Sequence, residues 1–242
     1  AHSPVINVVG DHASYHLEYD APLTSDVPAH CRICSDWVRV SDSADELAAL
    51  GAEAVHAASK GSGATATLIV PANHAWEETA ATASAATISQ PDSASPAAVE
   101  QAAEALSGPR RGALLLGGGA LLADTLEIAG RIAQASGARL LCETFPARLQ
   151  RGAGRCPVER VPYVSEQVQE HLAGLDFLVL VGARAPVSFF AYPGRDSWLV
   201  PEGCEVIELA DADQDLSDAL TALAGAMDAV AAPERTAVAP PL

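Results

Sequence analysis

The chain has 242 residues, 31 of them acidic and 14 basic, for a formal net charge of −17. That length allows one or two domains, each able to fold without a metal or a disulfide. Its acidity opposes nucleic acid, whose phosphates are held mainly by Lys and Arg, and an anionic membrane surface. Hydrophobic residues make up 49% and charged residues 19%, which is the balance of a globular chain rather than a disordered one.

Residues 4–9, Pro-Val-Ile-Asn-Val-Val, are a continuous apolar run of the kind found in buried parallel strands. Gly10-Asp11-His12 ends it, and an irregular stretch is expected up to about Trp37. Residues 42–58 predict an amphipathic helix with Leu47, Leu50, Ala54 and Ala58 on one face and Asp45, Glu46 and Glu53 off it. A second buried strand follows at residues 66–70, stopped by Pro71. Residues 77–95 are Ala-, Thr- and Ser-rich without periodicity and predict a linker.

A complete alternation then begins. A helix is expected at residues 96–106 with Pro96 in its first turn, then a strand at 112–116 that runs into Gly117-Gly118-Gly119. A helix at 120–136 buries Leu121, Leu122, Leu126, Ile128, Ala129 and Ile132 and ends at Gly137. Strands at 139–142, 177–181 and 205–209 and helices at 165–172 and 215–230 complete the set. Alternating βα units of this size specify a doubly wound parallel sheet. The fold class expected is therefore α/β: a partial α/β domain over residues 1–76, then a complete Rossmann-like domain over 96–231. Residues 232–242, with three prolines, form a tail or linker. The start at Ala1-His2-Ser3, without Met, predicts a first domain that is cut.

Three motifs carry chemistry. Asp11, His12, His16 and Asp20 cluster just after the first strand, where ligands bind in α/β sheets, and His titrates near neutrality. Gly117-Gly118-Gly119 lies between a strand and a helix, so its backbone N–H groups suit an anion, although a tight turn needs the same glycines and the spacing is not G-x-G-x-x-G. Arg184 follows the 177–181 strand and suits a phosphate, in a loop with Phe189, Phe190 and Tyr192 for a flat ligand. Cys31 and Cys34 lack two further ligands at zinc spacing, and no metal site is expected. No run reaches the ~20 apolar residues of a membrane span, no signal peptide opens the chain, and the five cysteines are scattered. A soluble, cytoplasmic setting follows.

Residues 4–26, PVINVVGDHASYHLEYDAPLTSD, resemble the pyrimidine-binding domain of thiamine-diphosphate enzymes, and acetolactate synthase large subunits most of all. Ser35-Asp36-Trp37-Val38-Arg39 and Leu68-Ile69-Val70-Pro71-Ala72 match later landmarks of that domain, and residues 21–26 lie nearer its benzoylformate decarboxylase branch. Residues 96–229 resemble the central domain of the same enzymes. The resemblance implies a thiamine-diphosphate- and Mg²⁺-dependent decarboxylase or carboligase acting on a 2-oxo acid, assembled as a homodimer or homotetramer. It places His12, Tyr15, Leu23 and Thr24 in the wall of the catalytic pocket, His12 as a proton relay. It also implies contact of Gly117, Gly118, Gly119, Arg184 and Asp211 with FAD held in a structural role. The family's catalytic Glu and its Gly-Asp-Gly motif for Mg²⁺ and diphosphate do not occur in these residues, so the chain alone is expected to be inactive. Two other readings stand beside this one: a separate FAD- or NAD-binding or regulatory module, and a scaffold without a ligand.

Overall fold

The computed structural model describes residues 3–237, so the last five residues of the expected tail lie outside the described residues. The chain divides between Gln90 and Pro91 into two compact units.

The first unit holds a three-stranded parallel sheet in the order β1-β3-β2, formed by β1 (Val5–Asp11), β2 (Trp37–Val40) and β3 (Thr65–Pro71). β1 pairs along its whole length with β3, from Val5 opposite Thr65 to Asp11 opposite Pro71. β3 is buried for most of its length, whereas the apolar run of β1 lies on an edge, with Ile6 44% and Val8 70% exposed. A continuous apolar run therefore specifies a parallel strand here without specifying its burial. The stretch expected to be irregular contains a 3₁₀ turn at Ser14–Tyr19, the short helix α1 (Val27–Arg32) and β2. α1 starts at Asp26, whose side chain accepts the Ala29 N–H at 2.9 Å, with Pro28 in its first turn. Cys31 thus belongs to a helix, and Cys34 follows it by two residues. The helix expected from residue 42 is a 3₁₀ turn at Ala44–Glu46 followed by α2 (Leu47–Ala58), which buries Ala54 and Ala58. A five-residue helix, α3 (Ala72–Trp76), follows β3 directly.

The second unit opens with α4 (Pro96–Ser107), capped by Ser95 Oγ accepting the Ala98 N–H. Its five-stranded parallel sheet has the order β6-β5-β4-β7-β8, with β4 (Gly112–Leu116), β5 (Arg139–Cys142), β6 (Glu159–Arg160), β7 (Phe177–Val181) and β8 (Glu205–Ala210). Every residue of β4 and β7 is buried. The helices are α5 (Ala123–Ser136), α6 (Ser165–Leu172) and α7 (Leu216–Ala226). α5 begins three residues later than its periodicity suggests, because Gly118–Leu121 forms a 3₁₀ turn and Leu122 is extended. α7 is likewise trimmed: Asp215 is its cap, accepting from Ser217 and Asp218 N–H, and Asp228 at φ 50 lies beyond its end. Core side chains fill both faces of this sheet, Leu114, Leu116, Val179 and Ile207 on one and Leu115, Leu141, Leu178 and Leu180 on the other.

Candidate active-site cleft

The C-terminal ends of β1 and β3 open into a cleft of about 600 Å³. Its polar lining comes from Asp11, His12 and His16, and its apolar lining from Tyr15, Leu23, Val27 and Trp76. The residues after β1 are positioned locally. The Asp11 carboxylate accepts the His12 backbone N–H at 2.7 Å. The 3₁₀ turn that follows stacks the His12 and His16 rings 5.6 Å apart and brings Tyr19 within 5.8 Å of His16.

Leu23 has φ +76 and is 93% exposed. The Thr24 N–H bonds the Ala21 carbonyl at 3.0 Å, and Pro22 stands between, which is the pattern of a type II turn with Leu where Gly or Asn is usual. A left-handed leucine costs about 1–3 kcal/mol, and its exposed side chain offsets none of that within these residues. Strain of this kind collects where a side chain has to be presented to a ligand. Thr24 does not line the cleft; its Oγ1 is the buried side-chain polar atom without a hydrogen-bond partner among the described residues.

Two residues that periodicity does not single out tie the cleft together. Asn73, buried on α3, accepts the Ser14 N–H on Oδ1 at 2.9 Å and donates from Nδ2 to Glu77. His74, also buried, places Nδ1 2.9 Å from Ser41 Oγ. Short α3 therefore fixes the His12–Tyr15 loop and carries Trp76 into the same cleft. Its only sequence signal is a Pro-ended strand followed by a lone Trp, since five residues are too few to show a helical period.

The candidate cofactor residues of the second unit also gather at one sheet edge. Strand order reverses between β4 and β7, the position at which ligands bind in such sheets. Gly117 N–H bonds the Val181 carbonyl and Gly182 N–H the Ala210 carbonyl, so Gly117–Gly119, Arg184 and Asp211 leave adjacent strand ends. Each glycine but the last has a local reason to be one. A Cβ on Gly117 would lie 2.3 Å from the Gly182 carbonyl oxygen, and Gly118 has φ +48. The side chain of Leu216 packs against Gly182 and the turn. Asp211 is engaged by its own loop, its carboxylate accepting the Asp213 N–H at 2.8 Å. Arg184 is exposed. This edge is explained by turn geometry and packing, and nothing in it requires a flavin. Among the described residues no three His, Cys, Asp or Glu side chains come together as a metal site, and no helix is long and apolar enough to cross a membrane.

The chain is 48% identical over 224 residues to a curated protein of Mycobacterium tuberculosis (strain ATCC 25618 / H37Rv) named "Putative acetolactate synthase large subunit IlvX". The chain is homologous to part of an acetolactate synthase large-subunit-like protein. The match takes in 93% of this chain but 43% of that protein, so the chain spans less than half of its relative's length. Solved thiamine-diphosphate enzymes share the fold. A Mycobacterium smegmatis protein titled "a putative thiamin diphosphate-dependent enzyme" aligns over 100% of this chain and 48% of its own, with TM-score 0.74 and 19% identity. The 4-hydroxybenzoylformate decarboxylase of Rhodococcus jostii RHA1 aligns over 100% of this chain and 48% of its own, with TM-score 0.71 and 18% identity. Benzoylformate decarboxylase of Polynucleobacter necessarius aligns over 97% of this chain and 46% of its own, with TM-score 0.71 and 18% identity. No family model matches the chain.

Proposed function

We propose that this chain supplies part of the pyrimidine-binding domain (residues 1–76) and the central domain (residues 96–231) of a cytoplasmic thiamine-diphosphate-dependent 2-oxo acid decarboxylase or carboligase, assembled as a homodimer or homotetramer. The observation that carries this reading is the cleft at the ends of β1 and β3, where His12, Tyr15 and Leu23 converge in a chain nearly half identical to a large-subunit-like protein. The described residues fit one wall of a cofactor site: an open cleft with two imidazoles and a strained apolar side chain. They bring together no three His, Cys, Asp or Glu side chains for Mg²⁺, which would be held outside them.

When bound, thiamine diphosphate would supply the electron sink for decarboxylation of a 2-oxo acid. In that scheme His12 would give or take a proton at the oxygen of the substrate carbonyl from its imidazole nitrogen, as a positioned histidine acid or base does. Asp11 orients it by holding its backbone N–H. Leu23 and Tyr15 shape the space for the substrate and reduce its contact with water.

Two measurements test this. With thiamine diphosphate, Mg²⁺ and pyruvate or benzoylformate added, the 242-residue chain is expected to release no CO₂; measurable turnover overturns its dependence on the rest of the enzyme. In the intact enzyme His12→Ala is expected to lower the rate by about 10²-fold or more. An unchanged rate and product ratio remove His12 from the proton path.

A further inference from the structure

The five cysteines are of two kinds. Cys142 and Cys156 are buried in the second unit and Cys204 is half-buried there. Burial pushes all three thiols up, away from the thiolate that reacts. Cys31 and Cys34 belong to the first unit, three residues apart, and neither lines the cleft. Cys31 lies in the last turn of α1 and is half-buried, whereas Cys34 and the two residues between them are exposed.

The turn that joins them brings the pair within reach of each other. The Cys34 N–H donates to the Cys31 carbonyl at 3.2 Å. A turn closed in this way holds its end Cα atoms within about 7 Å, and disulfides bridge Cα separations of about 4.4–6.8 Å. The Cys34 thiol also points back, donating to the same Cys31 carbonyl oxygen with Sγ 3.6 Å away, so this sulfur lies over the backbone of Cys31. The turn stands on a polar chain that crosses the sheet. Ser35 Oγ, 3.9 Å from Cys34 Sγ, bonds Thr67 Oγ1 on β3 at 2.7 Å, and Thr67 accepts Asn7 Nδ2 from β1 at 3.2 Å.

We propose that Cys31 and Cys34 form a reversible dithiol–disulfide site, oxidised by hydrogen peroxide and restored by a small dithiol. Exposed Cys34 reacts first. Its thiolate attacks a peroxide oxygen, the O–O bond breaks, hydroxide leaves, and the sulfur becomes a sulfenic acid. The Cys31 thiolate then attacks Cys34 Sγ; the S–S bond forms as the S–O bond breaks, and a second hydroxide leaves. The protons of the two thiols convert both hydroxides to water, so the thiols lose two electrons and the peroxide gains them. The bridge closes a ring of only four residues, which removes little chain entropy from the unfolded state. On an exposed turn it reopens by thiol exchange, as labile disulfides do. It also removes the hydrogen that Cys34 donates to the Cys31 carbonyl, so the end of α1 changes its contacts with redox state.

The 242-residue chain is treated with hydrogen peroxide above about pH 8, where ordinary thiols ionise, then unfolded, alkylated with N-ethylmaleimide and mapped. Two of the five thiols are expected to escape alkylation, against none before treatment. Trypsin cuts after Arg32, between the two cysteines. The peptide ending at Arg32 and the one beginning at Ile33 should therefore stay joined, and dithiothreitol should separate them and restore both thiols. On a denaturing, non-reducing gel the oxidised protein should run as a single chain. In Cys31→Ser, Cys34 should stop at the sulfenic acid and be trapped by dimedone; the wild-type map decides the matter even if this variant fails to fold. Full alkylation of Cys31 and Cys34 after peroxide overturns the proposal. So does their joining to other cysteines or other chains, or a Cys34 sulfinic acid as abundant in wild type as in Cys31→Ser.

Discussion

The two units solve the same α/β problem to different depths. In the second, β4 and β7 are buried at every residue and two large clusters of Leu, Ile, Val and Ala cover both sheet faces. In the first, only β3 is buried along most of its length, and the core cluster consists of Ala54, Ala58 and Ala66, with Trp37 and Ala57 packed against it. The candidate cleft, the left-handed leucine and the exposed Tyr15 and Trp76 that line the cleft belong to this thinly cored unit. Its edge strand β1 is apolar yet exposed, and its one charge, Asp11, stands at its last residue.

The contrast can be broken most directly in the second sheet. Leu114→Ala removes a fully buried side chain from the centre of β4 and is expected to cost about 2–5 kcal/mol, read as a lowered denaturant midpoint for the second unit. A cost below about 1 kcal/mol would show that this core is looser than its burial indicates.

The next largest effect tests the organisation of the cleft. Asn73→Ala leaves the Ser14 N–H without its acceptor and is expected to cost about 1–3 kcal/mol. Hydrogen exchange at Ser14 should quicken, and Asn73→Asp, which keeps an oxygen in place, should restore protection. Unchanged exchange in Asn73→Ala would disconnect α3 from the His12 loop.

A smaller effect is expected on acidification of the second unit. A hydrogen bond from Arg139 holds the Glu159 carboxyl below the usual carboxylate range, and burial, with Arg139 nearby, holds the His171 imidazole below its usual value. Both folded values are depressed, so each group adds stability above its unfolded pKa and loses it as pH falls through the folded one. Thermal unfolding should therefore move down in two stages, the first below about pH 6.5 and the second below about pH 4.3. Glu159→Gln should shrink the lower stage, to which Glu205, held down by its hydrogen bond from Arg110, also contributes, and should lower the His171 imidazole further. Half-exposure of Glu159 keeps its share modest.

The smallest change is predicted for β1. Val8→Ser, at a position 70% exposed, should alter the stability of this chain by no more than about 0.5 kcal/mol. A loss as large as that of Leu114→Ala would remove the distinction between the two sheets.

Much of this architecture was legible in local patterns. Apolar stretches marked β1, β3, β4, β5, β7 and β8, and Pro96 and Gly137 marked helix ends by chemistry that acts within a few residues. The elements that escaped notice, α1, β2, α3 and β6, are two to six residues long, too short to show a period. α1 carries a cap signal, Asp26 with Pro28 two residues on. The cleft was half legible: His12, Tyr15 and Leu23 lie near one another in sequence after a strand end, whereas Asn73 and Trp76 lie about sixty residues away.

By itself, then, the sequence determined the α/β alternation, the parallel sheets and the polar loop that follows the first strand, because strand runs, caps and glycine turns are short-range physics. Tertiary structure alone decided that the β1 run is an edge rather than a core strand, since burial depends on what pairs with it. It alone brought Asn73 to Ser14 and Trp76 to Leu23, because pairing of β1 with β3 sets residues from distant parts of the chain side by side.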